Sequence, residues 1–405
     1  MIIHPITMES IGAGVRISAR IEWDGQQPQF DTLWFEFPES APAAFSGHPD
    51  GFVVAMLLLA MARREDIHVL GSLDRQLLSN LVEYQRIFHA WFPDLFQPVG
   101  IHGQGSRIAE KGAGPRGVGS AFSGGVDSSY TLWSHLPDNE PLPDRRISHA
   151  LFVHGFDIPL ADTATFEAAA SRYRRELQVL GVELVTARTN IRQFVDVLPW
   201  ELLHGSALGA VVLMLDRLLG LFYVPASVAY DDLQPWGSHP VADPLLATAT
   251  MTVIHDGCMV RFDKVATVSR WAPARSWLRV CWVRPDANRN CCRCYGCVLT
   301  MIALDIAGTL PECPTFPGAL DRSTIRRLHL PSELRREIET LIGRVNAAGR
   351  PELAQDLRVA WRSSCVRHRI SAMSKALKSM FRRGGRSSPR GNDEAAGPGN
   401  GVARK

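Results

Sequence analysis

A chain of 405 residues with 46% apolar content and a net charge of +3 can bury one full-sized core and a smaller second one. Its longest apolar stretches exclude a membrane span: Phe52 to Ala62 is too short, and Leu208 to Val224 is interrupted by Asp216 and Arg217. The opening Met1-Ile2-Ile3-His4-Pro5 has no basic segment followed by an apolar core, so no secretory signal is expected and a cytoplasmic location follows.

From residue 1 to about 45, apolar and polar positions alternate, as in Val15-Arg16-Ile17-Ser18-Ala19-Arg20-Ile21 and Thr32-Leu33-Trp34-Phe35-Glu36-Phe37. This is the period of short antiparallel strands and predicts a small β-rich start. Helical patterns over Phe52 to Ala62 and Asp74 to Trp91 close an N-terminal α+β domain, 1–105. Glycines and prolines between Gly103 and Gly119 mark a linker. Beyond it, strands and helices alternate. A strand ends at Ala121-Phe122, and a helix runs from Ser128 to His135. A strand His149 to Val153, a helix Thr163 to Leu180 and a strand Val182 to Ala187 follow. A helix Ser206 to Leu219 and a strand Phe222 to Pro225 come next. That order predicts an α/β domain over 118–310, a Rossmann-like parallel sheet with helices on both faces.

Residues 226 to 298 are irregular and rich in Trp, Pro, His and Cys, as functional or metal-stapled segments tend to be. Helical patterns at Cys297 to Ala307 and Ser323 to Trp361 predict an α-helical C-terminal region, 311–381. After Arg382 the Gly, Pro, Ser and Arg content predicts a disordered basic tail, 382–405. Residues 366 to 405 hold ten Lys or Arg against Asp393 and Glu394. Such an end reads first as solvated chain and second as a surface for nucleic acid.

Two clusters carry chemistry. In Ser123-Gly124-Gly125-Val126-Asp127-Ser128-Ser129, directly after a strand, the glycines let backbone N–H groups at a helix start approach a phosphate closely. The serines add hydroxyl donors, and Asp127 can hold Mg²⁺. No Gly-Lys-Ser/Thr ends the loop, so it is not a Walker A sequence. In the second cluster, Cys281, Cys291, Cys294 and Cys297 offer four thiolates within seventeen residues, enough for one tetrahedral Zn²⁺. Cys291 is preferred over Cys292 because only Cys291 gives the regular step of three. Weaker substrate-side candidates are His239, in the loop Gly237-Ser238-His239-Pro240, and His204, beside the expected start of a helix at Ser206. Arg279, two residues before Cys281, is another.

Ser-Gly-Gly-Val-Asp-Ser after an apolar strand resembles the signature of the PP-loop ATP pyrophosphatase family. The cysteine arrangement leading into a helix is similar to the zinc site of 7-cyano-7-deazaguanine synthases. The resemblance covers roughly residues 118 to 305. It implies ATP and Mg²⁺ as cofactors, with ATP cleaved between its α and β phosphates. It also implies adenylation of a small carboxylate or amide, and displacement of AMP by nitrogen or sulfur. It further implies an adenine-contacting strand at Val153-His154, with Asp157 beyond it, and a phosphate-reaching role for Lys264 in Phe262-Asp263-Lys264-Val265. Some family members hold an iron–sulfur cluster on three cysteines, so that alternative stands beside zinc. A nucleic-acid base-modifying enzyme and a non-catalytic nucleotide-binding regulator are the other readings. The chain departs from the deazaguanine synthases in the roughly 120 residues before the loop. No cysteine precedes position 258, which excludes a cysteine glutaminase there, so an ammonia donor protein is the implied partner.

Overall fold

The computed structural model describes residues 1–25, 30–38, 45, 47–108, 116–195, 197–281, 283, 286 and 288–384. Among these residues the chain is α/β, with eleven strands in one sheet and twelve helices. The N-terminal part contains β1 (Ile2–Ile3), β2 (Thr7–Ile11), β3 (Gly14–Glu22), β4 (Thr32–Pro38), α1 (Asp50–Arg63), β5 (Ile67–Asp74), α2 (Arg75–Trp91) and β6 (Ile101–Arg107). The alternating part contains β7 (Gly117–Ala121), α3 (Val126–Ser134), β8 (His149–His154), α4 (Thr163–Val179), β9 (Glu183–Thr189), α5 (Ile191–Val195), α6 (Trp200–Leu213) and β10 (Leu219–Pro225). The remainder contains β11 (Thr252–Asp256), α7 (Arg261–Val268), α8 (Ala272–Trp277), α9 (Tyr295–Ile306), α10 (Arg322–Arg326), α11 (Arg335–Ala347) and α12 (Pro351–Gly384).

Strand order is β11-β10-β7-β8-β9-β4-β3-β1-β5-β6, with β2 added to β3. The five strands from β11 to β9 are mutually parallel, as the alternating pattern predicts. On β8, Leu151 and Val153 enter one apolar core while Ala150 and Phe152 enter the other, so this strand is covered on both faces. The first core gathers α1, α2, α6 and the N-terminal strands; the second gathers α3, α4, α7, α8 and α9. A third cluster joins α9 to α10, α11 and α12.

The N-terminal strands do not form a sheet of their own but extend the parallel one. β4 pairs antiparallel with β9 through Phe35–Thr189 and Glu36–Arg188. Asn190 locks this seam: its amide donates to Thr32 O at 2.9 Å and its carbonyl accepts from Trp34 N at 3.0 Å. The buried Glu36 carboxylate takes Arg188 at 3.1 Å and Arg16 at 2.5 Å. Part of the expected linker is β6, paired with β5. The basic residues after 384 lie outside the described residues, and α12 runs through 382–384. No helix among the described residues is long and apolar enough to cross a membrane.

Candidate functional site

β7 runs into the turn Phe122 to Gly125, and α3 begins at Val126 with Gly125 as its N-cap. Gly124 has φ +72°, and a Cβ there would strike the Tyr173 hydroxyl. Backbone conformation and space therefore both demand glycine at this position. The loop is held from behind. Tyr173 donates to Ser123 O at 3.0 Å, and the Arg279 N–H donates to Gly124 O at 2.8 Å. Ser128 Oγ accepts from Ser123 N and donates to Gly125 O, both at 3.3 Å. Ser129 is turned into the core, where its Oγ accepts from Trp277 Nε1 at 3.0 Å. The first-turn amides of α3 have no partner within the helix and stand at its positive end, an arrangement that attracts anions. Replacing Gly124 with Ala is expected to destabilise the fold by about 1–3 kcal/mol in urea denaturation and to weaken phosphate binding in calorimetry.

Asp127, in the first turn of α3, faces the first turn of α7. Lys264 Nζ reaches its Oδ1 at 3.1 Å, and Arg261 Nη1 reaches its Oδ2 at 2.7 Å. Lys264 is 1% exposed and also donates to Ala226 O at 2.5 Å. Burial works to raise the Asp127 carboxyl, but the charges of Lys264 and Arg261 outweigh it and hold the group below its usual range. Stability from this group is complete above the ordinary value of about 3.9 and is lost as pH falls through the lowered folded value. Asp127→Asn is therefore expected to lose less stability than the wild type between about pH 4 and pH 2, read by denaturant titration. Arg261 was not singled out by the sequence; the only trace was its place three residues before Lys264, on the same helix face. Glu337 of α11 joins the group: burial raises its carboxyl, Arg261 opposes that shift and Asp127 adds to it. The helix carrying Glu337 is tied to α7 by Arg344–Asp263 at 3.2 Å.

The sulfurs of Cys281, Cys291, Cys294 and Cys297 all lie within 4.8 Å of one another. Cys294 and Cys297 are 3.3 Å apart, and Cys291 and Cys297 are 3.7 Å apart. A tetrahedral Zn²⁺ with bonds of about 2.3 Å sets sulfurs about 3.8 Å apart, so these four residues fit such an ion. The N–H groups of Arg293 and Cys294 point at Cys291 Sγ, at 3.5 and 3.3 Å. Cys294 and Cys297 share a proton between their sulfurs, which lowers the Cys294 thiol and raises the Cys297 thiol; a cation would displace that proton. Cys292 stands outside the cluster. Its φ of +56° turns its sulfur toward Asn290 O, at 3.4 Å. Cys292→Ser is expected to retain full metal content by elemental analysis.

The cysteine cluster and the loop share one segment. Asn290 Oδ1 accepts from Val280 N at 2.8 Å and Cys281 N at 3.1 Å, while its Nδ2 donates to Leu278 O at 2.9 Å. That clamp fixes residues 278–281, and Arg279 within it and the adjoining Trp277 bear on Gly124 and Ser129.

Arg279 also comes within 3.7 Å of Asp157, so Ser123 to Ser129, Asp157, Lys264 and Arg279 are brought together. Val153 is buried in β8, and His154 is turned into the fold. The His154 ring stacks on Phe166 at 4.4 Å, and its Nε2 donates to Pro159 O at 2.9 Å. His204 and His239 belong to a second group around Asp243. α6 begins at Trp200, not Ser206, so His204 lies past the first turn and not at a helix start. Burial lowers its imidazole, against the opposing charges of Asp243 and Asp157. His239 is buried, with its N–H on Asp243 Oδ1 at 3.2 Å and its ring against Trp91 at 4.9 Å. No protein-family profile, curated protein or solved structure matches this chain.

Proposed function

We propose that the chain is an ATP-using enzyme of the PP-loop kind. On this reading it adenylates a small carboxylate or amide, releases pyrophosphate and transfers nitrogen to the activated carbon. The observation carrying this is the convergence of the α3 N-terminus with Asp127, Lys264 and Arg261. The strand order supports it. From β7 the chain proceeds to β8 and β9 on one side and returns to β10 on the other. The crevice outside the carboxyl ends of strands at such a reversal is where open α/β sheets bind ligands.

In the proposed reaction the α3 amides, with Ser123 and Ser128, orient the phosphates. Lys264 and Arg261 turn from Asp127 to the phosphate oxygens and stabilise the charge that develops as pyrophosphate leaves. Asp127 is the residue to hold Mg²⁺, which supplies further charge neutralisation. Asp157 and Arg279, beside the loop, are placed to meet the acceptor. The four cysteines hold a metal ion such as zinc as a staple, and no chemical step runs through it.

The test is pyrophosphate and AMP release from Mg·ATP with a panel of small carboxylic acids and ammonia. Release stimulated by one acid is expected. Tight ATP binding without release from any acid would favour a regulatory nucleotide-binding role instead. RNA binding lost on deleting residues 382–405 would favour a nucleic-acid acceptor.

A further inference from the structure

Arg279, behind the Ser123–Ser129 loop, is a buried cation that the fold leaves under-compensated. Its side chain is 5% exposed, and its Nε is closed off from solvent with no acceptor. The carboxylate it faces, Asp157, stands 3.7 Å from Nη2, beyond hydrogen-bond reach, and is itself 52% exposed. The Tyr173 hydroxyl beside it is neutral and gives its proton to Ser123 O. Arg172 and Arg188 also leave Nε unfilled, but each has a terminal nitrogen on a close acceptor, Trp277 O at 3.2 Å and Glu36 at 3.1 Å. A guanidinium is costly to bury unless acceptors meet its donors.

The backbones carrying the two charges are fixed. The Arg279 N–H is on Gly124 O at 2.8 Å, and Asn290 holds Leu278 O and Val280 N on either side of it. Asp157 rides a turn that Gly155 opens with φ +101° and closes by its N–H on Ile158 O at 3.0 Å, while Arg192 holds Phe156 O at 2.9 Å. Opposite charges are thus held at a loose separation, one buried with spare donors and the other open to solvent. What completes such a guanidinium is a planar oxyanion, which takes two parallel N–H bonds. In the proposed reaction two oxyanions come to this end of the sheet, the α-phosphate of ATP and the carboxylate of the acceptor. Strand order separates them. Lys264, bonded to Ala226 O just past β10, serves the loop from the β10 side together with Arg261, whereas Arg279 faces Asp157 just past β8 on the other side.

We infer that the Asp157–Arg279 pair divides between the two reactants: Arg279 binds the carboxylate that is activated, and Asp157, released from it, receives the nitrogen nucleophile. This rests on the ATP-dependent adenylation proposed above and narrows its acceptor to a carboxylic acid. The incoming carboxylate displaces Asp157 from Arg279, whose charge offsets its repulsion from the triphosphate. A carboxylate oxygen attacks the α-phosphorus, the P–O bond to pyrophosphate breaks, and pyrophosphate leaves with the electron pair. Ammonia then attacks the carbonyl carbon of the acyl adenylate. The C–N bond forms, the C–O bond to the phosphate breaks, and AMP leaves with the electrons. The nitrogen becomes cationic as it attacks, and the proton it sheds passes to the Asp157 carboxylate.

The experiment uses the full chain and the acid of the panel that most stimulates pyrophosphate release. Its binding is measured by calorimetry on protein saturated with the α,β-methylene analogue of ATP, which cannot lose pyrophosphate. Arg279→Gln is expected to weaken the acid about tenfold or more and Mg·ATP far less. Asp157→Asn is expected to bind the acid at least as tightly as wild type, because the competing carboxylate is gone, yet to form amide from ammonia about 10²-fold more slowly. A merely structural pair would give losses of acid binding in both variants. Circular dichroism checks folding, and Arg279→Lys, which keeps the charge without the planar fork, is the second variant, expected to fall between wild type and Arg279→Gln. Acid binding weakened alike by Arg279→Gln and Asp157→Asn overturns the division. Mg·ATP weakened as much as the acid in Arg279→Gln assigns the guanidinium to the α-phosphate and also overturns it. Acid-stimulated pyrophosphate release with acid binding indifferent to Arg279 overturns the assignment and leaves the ATP chemistry standing. No pyrophosphate release with any acid overturns the ATP-dependent reading, and the assignment falls with it.

Discussion

Lys264→Met is expected to lower pyrophosphate release by about 10²- to 10³-fold while leaving the folded chain intact. The lysine stem is fully buried, so a methionine of similar length fills the same space and the loss is confined to the charge and its hydrogen bond to Ala226 O. That charge lies where phosphate oxygens would sit if ATP occupied the α3 N-terminus, and its burial limits solvent screening. Asp127 keeps Arg261 as a partner in the variant, which limits the cost of leaving a carboxylate unpaired. Single-turnover pyrophosphate release and calorimetric Mg·ATP binding, measured on the same preparation, separate the alternatives. A fall in release much larger than the fall in binding places Lys264 on the transition state. Equal falls make it a ground-state anchor. Unchanged release removes it from the site altogether, and with it the strongest support for the proposed chemistry.

Local rules account for what the sequence made legible. The parallel core was readable because each strand and helix declares itself within a dozen residues. The choice of Cys291 over Cys292 was readable from spacing alone, and the sulfur positions agree with it. Long-range pairing was not readable. Glu36 and Arg188, or Asp127 and Arg261, meet across more than a hundred residues with no periodicity to announce them. The N-terminal strands therefore read as a module apart, although Asn190 sews them into the same sheet. Glycine misled twice, for opposite reasons. In α6, Gly205 reads as a helix boundary, yet it lies inside the helix, where a Cβ would collide with the carbonyl of Gly237 and only glycine fits. In β6, Gly103 and Gly105 read as linker, yet they belong to a mostly exposed strand at the sheet edge, where little side-chain packing is required.

Cys297→Ser is expected to cost the chain its metal and, through that loss, to weaken a site some residues away. Cys297 is fully buried in the first turn of α9, and its sulfur lies 3.7 Å from that of Cys291 and 3.3 Å from that of Cys294, so the other three cannot close a tetrahedron without it. Structural zinc in small domains contributes on the order of 10 kcal/mol of apparent binding free energy. Even a fraction of that, spread over a chain of this size, lowers the melting temperature by roughly 10 °C. The secondary effect is the more informative one. Asn290 holds residues 278–281 beside the cysteines, and the Arg279 N–H and the Trp277 indole hold the Ser123–Ser129 loop from behind. Loosening the cluster should therefore weaken Mg·ATP binding although no cysteine touches the loop. Elemental analysis, differential scanning calorimetry and ATP titration of wild type, Cys297→Ser and Cys292→Ser decide this together. Retained metal and wild-type melting in Cys297→Ser would contradict the staple. Lost metal with unaltered ATP binding would confine the staple to the C-terminal helices and break the mechanical link between the two clusters.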